Sequence, residues 1–390
     1  MGVLLTAMNV TLIGKRSQVI AALALTVCCA GGMAKAETFT NLEAVTGTGG
    51  SAWVRNVPFT LTGVLLTDPE EMLDATPNFI PWNPPGTIFA LGGQWQVFVQ
   101  AVVAGDRGGV ECWMGQNYGN IPWEPHDGSD SYSNDAWTSE VYRVSHDPAT
   151  GRKFQRGDLV AITAQASLFH GGMQNVNEEH NVSTNKDFTI SLLVPGFGLP
   201  APEVISLASV MSTNVTSTGY NDLFDATRAT GGEHYQGMRV RINGLTLVTT
   251  DGWNTNADWD SRHCTVTDGE GRQFPVVHPL YDIGAAPTGR FDATGVFLQE
   301  SGSDDNIGTY GYKLFIQEVA PSAPAVLSMA SKPVITWDPS LGNYQLQSAD
   351  SVSSPTWLAV TNTPALVNGK STVVVEPSAG QKFYRLQRVQ

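Results

Sequence analysis

The sequence predicts an all-β chain: two five-stranded barrels in tandem, then a small C-terminal β-sandwich. Three observations point there. Short apolar runs are punctuated almost everywhere by turn residues, with 40 glycines and 22 prolines in 390 residues, and amphipathic helical periodicity is scarce. Residues 157–176, GDLVAITAQASLFHGGMQNV, read as a strand able to bury both faces, a Gly-Gly turn and a second extended run. That pattern suits a strand bent round a small barrel. The order strand, hairpin, glycine-led strand, closing strand then recurs downstream as a degenerate internal repeat.

The elements follow in chain order. The first module, residues 37–206, opens with the strand FTLTGVL at 59–65. It continues with WQVFVQ at 95–100, a turn at 105–109, VECWM at 110–114, the glycine-led strand at 157–176 and FTISLL at 188–193. Two long insertions, 68–93 and 115–155, interrupt it, and loops of that size in a compact domain carry function or move. The second module, residues 207–320, repeats the scheme with strands at 237–244, 263–268, 272–277, 289–297 and 312–318. A Pro/Ala linker, 321–332, follows. Residues 333–390 then hold short strands at 334–337, 344–348, 357–360, 371–375 and 383–386, spaced by Gly, Pro and Asn as in a β-sandwich.

The amino-terminal segment reads as an export signal. Lys15 and Arg16 precede the apolar run 19–30, and Ala34-Lys35-Ala36 offers small residues at the two positions a signal peptidase reads. The expectation is a signal peptide over 1–36, a mature chain from Glu37, and an extracellular, periplasmic or cell-surface location. No later stretch is long and apolar enough to cross a membrane. Without 1–36 the chain holds 19 basic and 36 acidic residues, a formal charge of −17. Such a field repels polyanions and sets nucleic acid below other ligands. Cys112 and Cys264 then remain; strand alternation turns both inward in separate modules, which favours two free thiols over a disulfide.

Several residues carry a resemblance. Residues 95–100 end an aromatic strand in Gln, Gly108-Gly109-Val110 starts a Gly-Gly-aliphatic return strand, and Gly157-Asp158 leads to Gly171-Gly172-Met173-Gln174. Glu233, Tyr235, Gly237, Met238 and Val240 form a further patch. In these features the chain resembles the oligonucleotide/oligosaccharide-binding (OB) accessory regions of secreted bacterial nucleases, in patches over residues 55–320. Residues 333–389, with Trp337, Trp357 and Phe383-Tyr384-Arg385-Leu386, resemble C-terminal sandwich modules of secreted planctomycete and verrucomicrobial proteins. The resemblance implies two OB-like five-stranded barrels in tandem followed by a small Ig/fibronectin-like sandwich. The separate metal-dependent catalytic domain of those nucleases has no counterpart here.

Alternation in the 95–114 hairpin puts Trp95, Val97, Val99, Val110, Cys112 and Met114 on the inner face. The outer face then carries Gln96, Phe98, Gln100, Glu111 and Trp113, the expected ligand-binding residues. In OB folds that face holds bases or sugars, and two rings among amide side chains suit stacking. The competing reading packs Phe98 and Trp113 beneath the insertion 115–155.

No catalytic or metal site is expected, and no cofactor. His126, His146, His170, His180, His234, His263 and His278 show no metal-ligand spacing. Ser145-His146-Asp147 is no triad by adjacency, because triad members meet in space. Two oxygen-rich loops, Asp127 to Asp135 and Asn254 to Asp260, read as solvated turns rather than calcium sites. The leading functional expectation is an exported non-catalytic binding protein. Its first barrel face would hold an oligomeric ligand, polysaccharide or protein ahead of nucleic acid. The alternatives are a structural or adhesive cell-surface spacer, a nucleic-acid-binding accessory protein, and an enzyme using Glu124, Asp127 and Asp130.

Overall fold

The structure is a computed structural model and describes residues 34–48, 52–53, 58–71, 74–81, 91–117, 131–177, 188–216, 219–254, 262–302, 306–322, 334–339, 344–376 and 381–389. Its chain separates into two compact units, one ending at Ser322 and one beginning at Ala323.

The first unit contains two large sheets. Strands β1 (Phe59–Leu65), β2 (Gln94–Ala101) and β3 (Gly109–Gly115) form an antiparallel meander, with β1 also pairing antiparallel to β4 (Leu159–Ala164). A break at 165–167 separates β4 from β5 (Leu168–His170). Gly171 and Gly172, at φ +60° and +107°, then turn the chain into β6 (Met173–Asn177). Strand β6 runs antiparallel to β5 and parallel to β3, while β7 (Phe188–Val194) returns along β4. The order is β5-β6-β3-β2-β1-β4-β7, with two-residue strands Ala52–Trp53 beside β5 and Lys35–Ala36 beside β1.

The second sheet closes on itself. Strand β8 (Glu203–Ile205) leads in parallel to β9 (Arg239–Leu247), followed by β10 (His263–Thr267), β11 (Gln273–Val277), β12 (Phe291–Gln299) and β13 (Tyr312–Pro321). The ladder runs β9-β10-β11-β13-β12 and returns to β9, with β11 and β13 the parallel pair. This is a closed OB-like five-stranded barrel.

Period-2 alternation explains both cores. Trp95, Val97, Val99, Val110, Cys112 and Met114 are all at most 1% exposed and share one cluster with Phe59, Leu61, Val160 and Phe188. Cys264 and Val266 enter the second core with Phe274, Phe291, Phe297 and Leu314. Both cysteines are free and buried. Burial pushes both thiols up, Cys264 to about 12, so neither offers a thiolate near neutral pH.

One three-turn helix lies where the sequence predicts a loop. Helix α1 (Asn134–Ser145) lies inside the expected insertion 115–155, started by Ser133, whose side chain accepts from the Ala136 amide. Trp137, Glu140 and Val144 form its buried stripe at helical spacing, and Trp137 Nε1 donates to the Ala75 carbonyl at 3.0 Å.

The second unit holds two three-stranded antiparallel sheets. One orders β14 (Val334–Trp337), β18 (Lys370–Val374) and β17 (Ala365–Val367); the other orders β16 (Leu358–Ala359), β15 (Tyr344–Ala349) and β19 (Phe383–Arg388). Trp337, Leu346, Val373 and Val375 form its small core.

Candidate functional site

The outer face of the β2–β3 hairpin is the expected site, and the closed barrel lies against it. Phe98 is fully buried, its ring 5.6 Å from that of Phe315 in β13. Around this contact, Leu66 and Met173 from the first sheet meet Val277, Val296 and Leu298 from the second in one apolar cluster. The cover is therefore the second sheet, not the insertion 115–155.

Polar side chains ring the apolar centre and satisfy backbone groups across the seam. Gln100 Oε1 accepts from the Arg239 amide at 2.8 Å. Gln317 Nε2 donates to the Leu66 carbonyl and to Glu71 Oε2, each at 2.8 Å. Gln236 Nε2 donates to the Gly172 carbonyl at 3.0 Å, and Gln299 Nε2 to the Gly47 carbonyl at 2.8 Å. Arg107, in the β2–β3 turn, pairs with Glu203 at 2.7 Å and donates to the His234 carbonyl. Desolvated hydrogen bonds of this kind fix one register between two surfaces.

Backbone meets backbone at two places. The Gly109 amide donates to the Gln236 carbonyl at 3.1 Å, and a Cβ on Gly109 would stand 2.0 Å from the Gly237 oxygen. At the Gly171-Gly172 turn, the Ser301 amide donates to the Gly171 carbonyl at 2.7 Å. The Gly-Gly pairs that read as turns in the sequence are also the points where the two sheets touch.

Of the five expected ligand-binding residues, Phe98 and Gln100 thus sit inside the seam, and Gln96 is 5% exposed. Glu111 is half-buried and lies near Glu300 and Lys313 of the second sheet; burial, reinforced by Glu300 and opposed by Lys313, pushes its carboxyl up to about 8. Trp113 is half-buried, with its ring over Gly115. The open platform expected on this face is corrected: alternation identified the face, and a neighbouring sheet of the same chain occupies it.

Other chemistry-bearing residues singled out in the sequence make contacts within the fold. Ser145 Oγ accepts from Trp95 Nε1 at 3.3 Å, His146 stacks on Tyr142 at 3.9 Å, and Asp147 accepts from Thr150 and from the Leu192 amide. Cys264 Sγ lies 3.4 Å from His278 Nε2 in the second core. Burial with nearby Arg262 depresses that imidazole to about 4, so the pair is neutral near pH 7. Among the described residues no group of three or more His, Cys, Asp or Glu is placed to hold a metal. Asn134 and Asn254 from the oxygen-rich loops accept or donate within the fold; Asn134 Oδ1 accepts from the Phe79 amide at 2.8 Å, and Asn254 Nδ2 donates to Asp282 at 2.5 Å. Glu124, Asp127, Asp130, Asn256, Asp258, Asp260, His126 and His180 lie outside the described residues.

No protein-family profile matches this chain, and no curated protein sequence does. Solved structures give weak similarities, of which two follow. One, described as "Structural mimicry for functional antagonism", is 10% identical at TM-score 0.27, covering 69% of this chain and 96% of the other. The second, p202 HIN1 in complex with 12-mer double-stranded DNA, is 11% identical at TM-score 0.24, covering 70% and 96%. Likenesses this low assign neither fold nor ligand to this chain. The second holds DNA in its own structure, whereas the expectation from net charge put polysaccharide or protein ahead of nucleic acid.

Proposed function

We propose that the first unit is a non-catalytic structural spacer, two barrels locked face to face as one rigid body. The observation that carries this reading is the burial of Phe98 against Phe315. The face that an OB-like barrel offers to bases or sugars is here used to join one sheet to the next. Described arginines near the seam are tied to acids: Arg107 to Glu203, Arg156 to Glu71 and Glu318, Arg239 to Glu318 and Arg241 to Asp292. Paired guanidinium groups present little free charge to phosphates.

The finer architecture belongs to the same proposal. The first sheet is a second OB-like barrel whose fourth strand is bent between β4 and β5, and whose fifth is divided into β6 and β7. Two registers support this: β6 runs parallel to β3 with Glu111 opposite Asn175, and β13 runs parallel to β11 with Val276 opposite Leu314. The chain then divides at 37–206, 207–320, 321–332 and 333–390, the last an Ig/fibronectin-like sandwich. Export to the cell surface, supported by Ala34-Lys35-Ala36 after the apolar run, suits a spacer.

A titration of the full chain with 12-mer double-stranded DNA, a single strand of the same length and a glycan array tests the reading. The spacer account expects no saturable binding through the first unit. Saturable, salt-sensitive binding to either DNA would replace it with the nucleic-acid accessory reading.

A further inference from the structure

The polar side of the seam buries carboxyl and amide oxygens that no donor among the described residues reaches. Glu43, one residue beyond the helical turn Phe39–Leu42, and Glu233, in the turn Gly232–Tyr235, are both fully buried. Arg228 Nη1 donates to the Glu43 carbonyl and to Gln236 Oε1, and stands 3.8 Å from Glu43 Oε2. Gln236 Nε2 donates to Gln299 Oε1 and to the Gly172 carbonyl, while Gln299 Nε2 donates to the Gly47 carbonyl and also interacts with the Glu233 carboxylate. Tyr312 Oη donates to Glu233 Oε1 at 2.8 Å, and the Gln174 amide to Glu43 Oε2 at 3.4 Å. Glu43 Oε1, Glu233 Oε2 and Gln174 Oε1 have no donor among the described residues. Two carboxylates sharing one guanidinium, with acceptors left over, is a costly arrangement in a desolvated seam. A carboxylic acid brings the missing O–H.

We propose that Glu43 and Glu233 form a proton-held clasp between the two sheets. As neutral acids they donate into the seam; as carboxylates above neutral pH they loosen it. The unit is therefore stiff in mild acid and loosened in alkali, whatever the tandem carries.

The electrostatics agree with this geometry. Burial pushes Glu43 up to about 8, with Arg228 opposing and Glu233 adding. Burial likewise raises Glu233 to about 7, against its bonds to Tyr312 and Gln299 and the charge of Arg228. Both folded values lie above the ordinary 4.5. The stabilisation from binding these protons is thus complete below about 4.5, falls as pH rises above that, and is gone once pH passes the folded values of about 7 and about 8. Other charged groups near the clasp are Arg107, Glu203 and His234 on the rim, and Asp225, which is half-buried and bonded to Thr227 and Thr230. Asp222, raised by burial to about 6, changes stability in the same direction but at lower pH. His278 acts oppositely: its folded value is depressed from 6.5 to about 4, so its contribution is lost as pH falls through that interval and is nearly constant above it. Glu111, raised by burial to about 8, changes stability in the same direction over the same interval.

The test compares thermal melts of the full chain at about pH 6 and about pH 9 with those of E43Q and E233Q. The wild type should lose several degrees of Tm over that interval, and each glutamine, a neutral donor, should remove a clear part of the loss. Variants that fold and lose as much as the wild type would overturn the clasp. Should a variant not fold, isotope-edited infrared spectra of E111Q, which removes the other carboxyl raised to about 8, decide. A protonated glutamic acid carbonyl band present at about pH 6 and gone at about pH 9 supports it, and its absence at both overturns it.

Discussion

Replacing Phe98 with alanine will destabilise the first unit by about 3–5 kcal/mol, the range of a fully buried phenylalanine truncated in a packed core. Phe98 has no exposed surface and contacts Phe315, so the loss combines burial, aromatic contact and an unfilled cavity at the centre of the seam. Phe315→Ala will cost a similar amount. Because the rings touch, the double variant will lose less than the sum of the two. Trp113→Ala, which removes a half-buried ring lying over Gly115, will cost less than Phe98→Ala. Urea unfolding of the full chain and the four-member cycle measure all of these values. A Phe98→Ala loss below about 1 kcal/mol would mean that the seam opens freely.

Gly109→Ala should be nearly as severe, for a different reason. The added methyl would lie 2.0 Å from the Gly237 oxygen and 2.8 Å from the Val99 oxygen. Both are backbone atoms, so no side chain can swing aside. The two sheets must separate there, and the Gly109 amide loses the Gln236 carbonyl. Overpacking of this kind costs about 1–3 kcal/mol or more. Gly237→Ala meets the same crossing from the other side, with the added burden of φ +67°. Gly269→Ala, where a Cβ meets nothing within 4 Å, is the control and should stay within about 0.5 kcal/mol of wild type.

The strands were legible because period-2 alternation and glycine turns are local. FTLTGVL at Phe59–Leu65 and HCTVT at His263–Thr267 carry their burial pattern in their own residues, and both cysteines fell inward as alternation requires. Alternation tells which residues share a face but not what covers it. Phe98 beside Gln96 and Gln100 reads as an exposed stacking platform until the second sheet is placed on it. The ligand expectation failed at that step. Gly109 and Gly172 misled in the same way, since a glycine needed for a turn and one needed for a close crossing look alike in sequence. Helix α1 was hidden for another reason: its stripe is short, begins at Ser133 and lies among Gly, Ser and Asp residues that read as a loop. The clasp left no sequence signal, because Glu43 and Glu233 are 190 residues apart and become a pair only when the sheets meet.

The central claim is that the hairpin face is an internal interface and that both sheets open together. Native-state hydrogen exchange on the full chain, with and without Phe98→Ala, tests it most directly. If the claim holds, the most protected amides of β2 and of β13 share one opening free energy, and Phe98→Ala lowers both by the same amount. If Phe98→Ala instead lowers protection in β2 and leaves β9 to β13 at wild-type values, the sheets are independent and the account is wrong.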